Sequence, residues 1–161
     1  MRNLPAFAWL FILQAARAEE SLCVHNEVIV FSCHVGSKIV SLCRPSESPR
    51  TLTYRYGTPG HLELAYPRCG HEDTGEFYTT SAPLFGGGET TIAFKRAEYE
   101  YTIYTKVGRA ESGEAQEERV PIFEDGLVIT RDGKMLQQLV CDDGGEGFRE
   151  DIDWIPNRND N

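Results

Sequence analysis

The chain has 161 residues, 40% of them apolar and 25% charged, which suits one domain with a tail and is too short for two comfortable cores. Sixteen Lys and Arg against 25 Asp and Glu leave a net charge of −9, a balance that argues against nucleic acid or an anionic membrane surface as the main partner. Eight Phe, seven Tyr, fifteen Gly and eight Pro favour a turn-rich β protein over a helical bundle.

Residues 1–18 have the layout of an export leader. Arg2 supplies positive charge, Leu4 to Leu13 form an apolar run broken only by Pro5, and Ala16-Arg17-Ala18 is a small-x-small cleavage site before Glu19. The run is far shorter than the roughly 20 residues needed to cross a bilayer. We therefore expect 1–18 to be a signal peptide and the mature protein to be periplasmic or secreted, with no membrane anchor. Loss of Arg2 and Arg17, with no acid in the leader, lowers the charge from −9 to −11. Lipid attachment at Cys23 is disfavoured, because Leu22 stands where a small residue is preferred.

Five cysteines follow the leader: Cys23, Cys33, Cys43, Cys69 and Cys141. Export makes disulfides their default state, and the odd count leaves one over. Cys69 lies in the polar run Arg68-Cys69-Gly70-His71-Glu72-Asp73, whereas the other four border strand-like runs. Cys23, Cys33, Cys43 and Cys141 are therefore the disulfide candidates and Cys69 the odd one, with the pairing open.

Short β-branched and aromatic runs recur along the chain between Gly, Pro, Asp and Ser. Val28 to Cys33 and Lys38 to Cys43 form a hairpin across Val35-Gly36-Ser37. Thr51 to Tyr56 and His61 to Tyr66 form a second across Gly57-Thr58-Pro59-Gly60. Phe77 to Thr80 is a short strand, followed by Thr90 to Lys95 and Tyr99 to Lys106. In this last run Tyr99, Tyr101, Ile103 and Thr105 share one face, while Glu100, Thr102, Tyr104 and Lys106 take the wetter one. Leu127 to Arg131 and Lys134 to Cys141 close the set across Asp132-Gly133, the strongest hairpin signal in the chain.

The expected fold is all-β: an antiparallel barrel or sandwich of about eight strands over residues 19–141, stapled by disulfides, with α+β as the alternative. Gly108 to Glu118 reads as an acidic mobile loop. Residues 142–161 hold seven acids against two arginines and read as an acidic C-terminal tail, pinned to the body by Trp154.

Motifs for chemistry are weak. The Cys69-x-His71 cluster with Glu72 and Asp73 offers two ligands from one turn, short of the three or four a metal requires. Gly86-Gly87-Gly88 leads into a β-like run and not a helix N-terminus, so it reads as a tight loop whose backbone approaches a partner, not as a phosphate cradle. No G-x-S-x-G is present, and the adjacent acids are ordinary solvated charge. We expect no enzyme, no metal and no cofactor. The aromatic–basic stripe of Tyr104, Lys106, Gly108 and Arg109 has more content, since a tyrosine edge beside a lysine suits recognition of a protein or sugar.

Four segments in order carry a family likeness: Phe31-Ser32-Cys33-x-x-Gly36, the Gly-turn between Leu52 and Leu64, Tyr101-Thr102-Ile103-Tyr104-Thr105-Lys106-Val107-Gly108, and Asp132-Gly133-Lys134 leading to Cys141. Over about residues 28 to 141 the chain resembles the bacterial C-type lysozyme inhibitors. That resemblance implies a small exported antiparallel β-barrel that blocks a lysozyme, with Thr105, Lys106 and Gly108 in the family's late aromatic–Thr–Lys–Gly segment. The family's Ser-Gly-x-x-Tyr loop is not reproduced. Ser112-Gly113 is followed by Gln116 in place of the tyrosine, and Phe85-Gly86-Gly87-Gly88-Glu89 stands at the equivalent location. Val107 is an extra residue in the Thr-Lys-Gly element.

The sequence thus points to a non-enzymatic exported binding protein. The leading partner is a basic lysozyme-like hydrolase, toward which a charge of −11 would steer it. An envelope or secreted interaction protein with another ligand ranks almost level, and a metal-dependent enzyme third. The expected partner-binding residues are Phe85, Gly86, Gly87, Gly88, Glu89, Tyr104, Thr105, Lys106 and Gly108.

Overall fold

The structure is a computed structural model and describes residues 21–47, 50–67, 76–109, 121–144 and 146–158. Nine strands make up the fold: β1 Glu27–Val35, β2 Lys38–Pro45, β3 Thr53–Thr58, β4 His61–Tyr66, β5 Phe77–Leu84, β6 Gly87–Arg96, β7 Tyr99–Arg109, β8 Pro121–Arg131 and β9 Lys134–Val140. They pair antiparallel in chain order as a four-stranded sheet, β1 to β4, and a five-stranded sheet, β5 to β9. Among the described residues no ladder joins one sheet to the other, so the molecule is a sandwich and not a barrel.

Alternation along each strand builds the core. Register rows such as Phe31, Leu42, Tyr54 and Tyr66 in the first sheet carry large side chains inward. Phe77, Phe94, Tyr101 and Ile129 do the same in the second. At the centre Phe94 lies between Tyr66, with ring centroids 4.3 Å apart, and Tyr101, at 5.0 Å. Such stacking adds about 0.5–1.5 kcal/mol per pair beyond area burial.

The outer face of the four-stranded sheet is also covered. Leu22 lies over Ser41, whose Oγ accepts the Leu22 amide at 2.9 Å and meets Ser32 Oγ at 3.0 Å. This explains why Ile39 to Cys43 are buried on both faces. Cys23 and Cys43 are bonded beside this contact, 20 residues apart in sequence, and Cys33 and Cys141 are bonded across the two sheets, 108 apart. All four expected cysteines are therefore oxidised, as suits an oxidising environment. Cys69, with the rest of its polar run, lies outside the described residues.

Strand bounds differ from expectation at one end of the five-stranded sheet. Gly87 and Gly88 pair with Leu84 and Pro83, and so belong to β6 and not to a loop. Gly108 pairs with Ile122 in a β7–β8 ladder that runs out to Arg109 and Pro121, so it too is a strand residue; the rest of the acidic loop lies outside the described residues. Cross-strand hydrogen bonding overrides the weak β-propensity of glycine and proline there.

The C-terminal segment returns across the sandwich. The Arg149 amide donates to the Val30 carbonyl at 2.9 Å and the Thr79 amide to the Pro156 carbonyl at 2.9 Å. Ile155, at 3% exposure, enters the core, and Trp154 packs half-buried against it. The anchor is thus Ile155 as much as Trp154.

Candidate functional site

The hairpin tip between β5 and β6 and the end of β7 meet because their strands pair. Glu89 lies directly opposite Lys106, and Gly88 opposite Val107. The Arg109 amide donates to the Phe85 carbonyl at 3.2 Å and ties the tip to the strand end. Glycine is needed for this approach: a Cβ on Gly87 would sit 2.0 Å from the Val107 carbonyl oxygen. Gly86, at φ +72°, turns the chain, and Phe85, 59% exposed, stands at the tip. Phe85–Glu89 and Tyr104–Gly108 therefore form one rim.

Alternation then divides the expected site residues between two faces. Glu89, Tyr104 and Lys106 line a shallow dish of about 330 Å³ on the outer face of the five-stranded sheet. Thr105 lies between Tyr104 and Lys106 and so points to the inner face, where it lines a different cleft. Glu124, Val128, Met135 and Gln138 complete the dish from β8 and β9. These four were missed because each reaches the dish only through the β7–β8–β9 ladder. The run Ile122-Phe123-Glu124-Asp125 has two apolar residues followed by two acids and so no period-two pattern, which is why the early start of β8 at Pro121 was not legible in the sequence.

Tyr104 faces outward yet is only 4% exposed. Its partner across β7 and β8 is Gly126, and a Cβ there would stand 2.8 Å from Tyr104 Cε1, so the ring occupies the space the glycine leaves. The Tyr104 hydroxyl donates to Glu124 Oε1 at 3.1 Å and accepts from Gln138 Nε2 at 3.1 Å. Burial pushes the phenol above its ordinary pKa, and the charges of Glu124 and Glu89 add to this, while the Gln138 donor offsets only part. The hydroxyl therefore stays protonated and holds the dish in shape. Around it stand the Lys106 ammonium, the carboxylates of Glu89 and Glu124 and the exposed Met135 thioether. Such a surface ion-pairs, hydrogen-bonds and packs against a partner.

Among the described residues the one trio of metal-type donor atoms is Cys23, Glu27 and Cys43. The two sulfurs are bonded to each other, and the Glu27 carboxylate takes Arg55 Nη2 at 2.9 Å. That cluster locks the N-terminal segment to β2 and β3 and leaves no ligand set for an ion.

No protein-family model, curated protein or solved structure matches the chain.

Proposed function

We propose that this chain is an exported, non-enzymatic binding protein that recognises a protein partner through the outer face of β6 to β9, and that the partner is a basic hydrolase of the lysozyme kind. The observation that supports this is the dish itself: a rigid floor made by Tyr104 on Gly126, ringed by opposite charges and an exposed methionine beside the Phe85 tip. A concave patch with an aromatic at its base and a charged rim is how protein interfaces are built. The leader, the two disulfides and the charge of −11 after cleavage fit an acidic protein working outside the cytosol against a basic target.

The test is lysis of bacterial walls by a basic lysozyme with and without the protein. Inhibition at micromolar excess is expected, and full lytic activity removes the reading. The Lys106 ammonium would face the acidic catalytic groups in the cleft of such an enzyme, so Lys106→Glu, which puts like charges together there, should weaken association about tenfold although the rest of the target is basic. Unchanged association moves the contact elsewhere.

A second reading, an envelope interaction protein with another ligand, is favoured by Val107 and Phe123. These residues pair across β7 and β8 and are 39% and 65% exposed. Salt-sensitive capture of an envelope protein other than a lysozyme would favour it.

A further inference from the structure

The apolar interior of the five-stranded sheet stops at one register row. Thr79, Ile92, Ile103 and Leu127 form one inward row across β5 to β8, and Ser81, Thr90, Thr105 and Asp125 form the next. Inward-facing polar groups in a sandwich are costly unless something hydrogen-bonds them. No residue of β1 to β4 lines the space in front of this second row; the returning segment 147–157 does, and the cleft between measures about 710 Å³.

The cleft is built, not left by a loose tail. Gly147 donates its amide to the buried Asp125 carboxylate at 2.7 Å, and Thr79 donates to the Pro156 carbonyl at 2.9 Å, pinning the segment on both sides. A Cβ on Gly147 would stand 3.3 Å from Thr105 Oγ1, so the segment closes down onto the hydroxyl row. Glu150 is held by Arg44, which fixes the middle. A ligand entering here finds walls already in place and costs little ordering.

The two walls differ in chemistry. The sheet supplies hydroxyls, which both donate and accept, from strands about 4.8 Å apart, a spacing comparable to the width of a pyranose ring. The segment supplies the acceptor carboxylates of Asp151 and Asp153, with Phe148 and Ile152 as apolar surface. Among the described residues no lysine, arginine or histidine lines the cleft, so a phosphate or carboxylate ligand meets the like charge of Asp151 and Asp153 there. The carboxylates do not converge as metal donors, because among the described residues the one such trio lies at Glu27.

A compact ring with an apolar face and several O–H or N–H donors satisfies both walls. We propose that this cleft binds a short uncharged oligosaccharide, with hydroxyl edges between Thr90 and Thr105 on one side and Asp151 and Asp153 on the other, and the ring face against Phe148. The site is separate from the dish and stands or falls independently of the protein partner.

The test is an amide-resolved NMR titration of the full chain with N,N′,N″-triacetylchitotriose, whose acetamido N–H groups suit an acceptor-rich cleft. Glucose 6-phosphate and trilysine serve as anionic and cationic controls. Shifts centred on Thr90, Thr105, Asp151 and Asp153 are expected, with neither control matching them. The near-isosteric T105V and the exposed D153N should each weaken binding about tenfold without altering the melting curve. D153N keeps the test decisive should T105V disturb the fold. Absence of shifts at about 10 mM sugar, shifts confined to the Phe85–Lys106 rim, or tighter binding of trilysine would each overturn the proposal.

Discussion

The ring of Tyr104 rests where the side chain of Gly126 would be, with the two residues directly opposite across β7 and β8. Gly126→Ala has no room on either side, since its Cβ would lie 2.3 Å from the Leu139 carbonyl oxygen and 2.7 Å from Tyr104 Oη. We expect a loss of about 2–3 kcal/mol by urea denaturation, from overpacking against backbone that cannot yield. Tyr104→Phe keeps the ring but strands Glu124 and Gln138, and should cost about 1 kcal/mol. An alanine variant as stable as the parent would mean that the ring does not depend on this gap.

Among the described residues Glu27 and Arg55 make the most buried ion pair, with side chains 8% and 10% exposed. Burial alone would raise the Glu27 carboxyl, but the Arg55 hydrogen bonds, the Val24 amide and the Arg55 charge together outweigh it and hold the pKa below its ordinary value of 4.5. A depressed carboxyl contributes stability that is fully present above the unfolded pKa and is lost as pH falls through the folded one. The urea midpoint should therefore hold from neutral pH down to about pH 5 and fall below about pH 4. Glu27→Gln should flatten that part of the profile and cost about 3 kcal/mol at neutral pH, because it leaves the Arg55 charge buried without its counter-ion. A parallel acid limb in both proteins would assign the acid sensitivity to other carboxylates.

The two disulfides close loops of very different length. By chain entropy, the 108-residue separation of Cys33 and Cys141 is worth about 4.7 kcal/mol and the 20-residue separation of Cys23 and Cys43 about 3 kcal/mol. The Cys33→Ala/Cys141→Ala protein should melt lower than the Cys23→Ala/Cys43→Ala protein. The reverse order would mean that the lock around Glu27 and Leu22 outweighs the inter-sheet staple.

Ala97 turns the β6–β7 hairpin at φ 54°, a left-handed conformation that costs a residue with a Cβ about 1 kcal/mol. Ala97→Gly removes the steric penalty and gives back part of it as unfolded-chain entropy. A net gain of about 0.5 kcal/mol in denaturant midpoint is expected. A destabilised variant would show that the neighbouring strands relieve the strain.

Much of the fold was legible because β-structure is written locally. Period-two alternation located the strands, and Asp132 and Gly133, both left-handed at φ 51° and 73°, are the pair that a two-residue hairpin demands. The inward assignment of Tyr101 and Ile103 holds, as does the choice of four bonded cysteines. The site was legible in part. Glu89 and Lys106 share a face as alternation requires, but the burial of Tyr104 depends on Gly126, which sits beside it only when β7 and β8 pair. Thr105 was grouped with its neighbours in sequence although the pleat sends it to the opposite face.

By itself the sequence determined which segments are strands and where the chain turns, because each of these depends on neighbours within a few residues. Only the tertiary structure decided sandwich over barrel, the pairing of Cys23 with Cys43 and of Cys33 with Cys141, and the course of residues 146–158 across the inner face. Sheet closure, a Cα–Cα separation of 5.6 Å between Cys33 and Cys141, and a cleft walled by Thr105 and Asp153 are relations between segments tens of residues apart. Long-range packing energies settle them, and no local pattern encodes those energies.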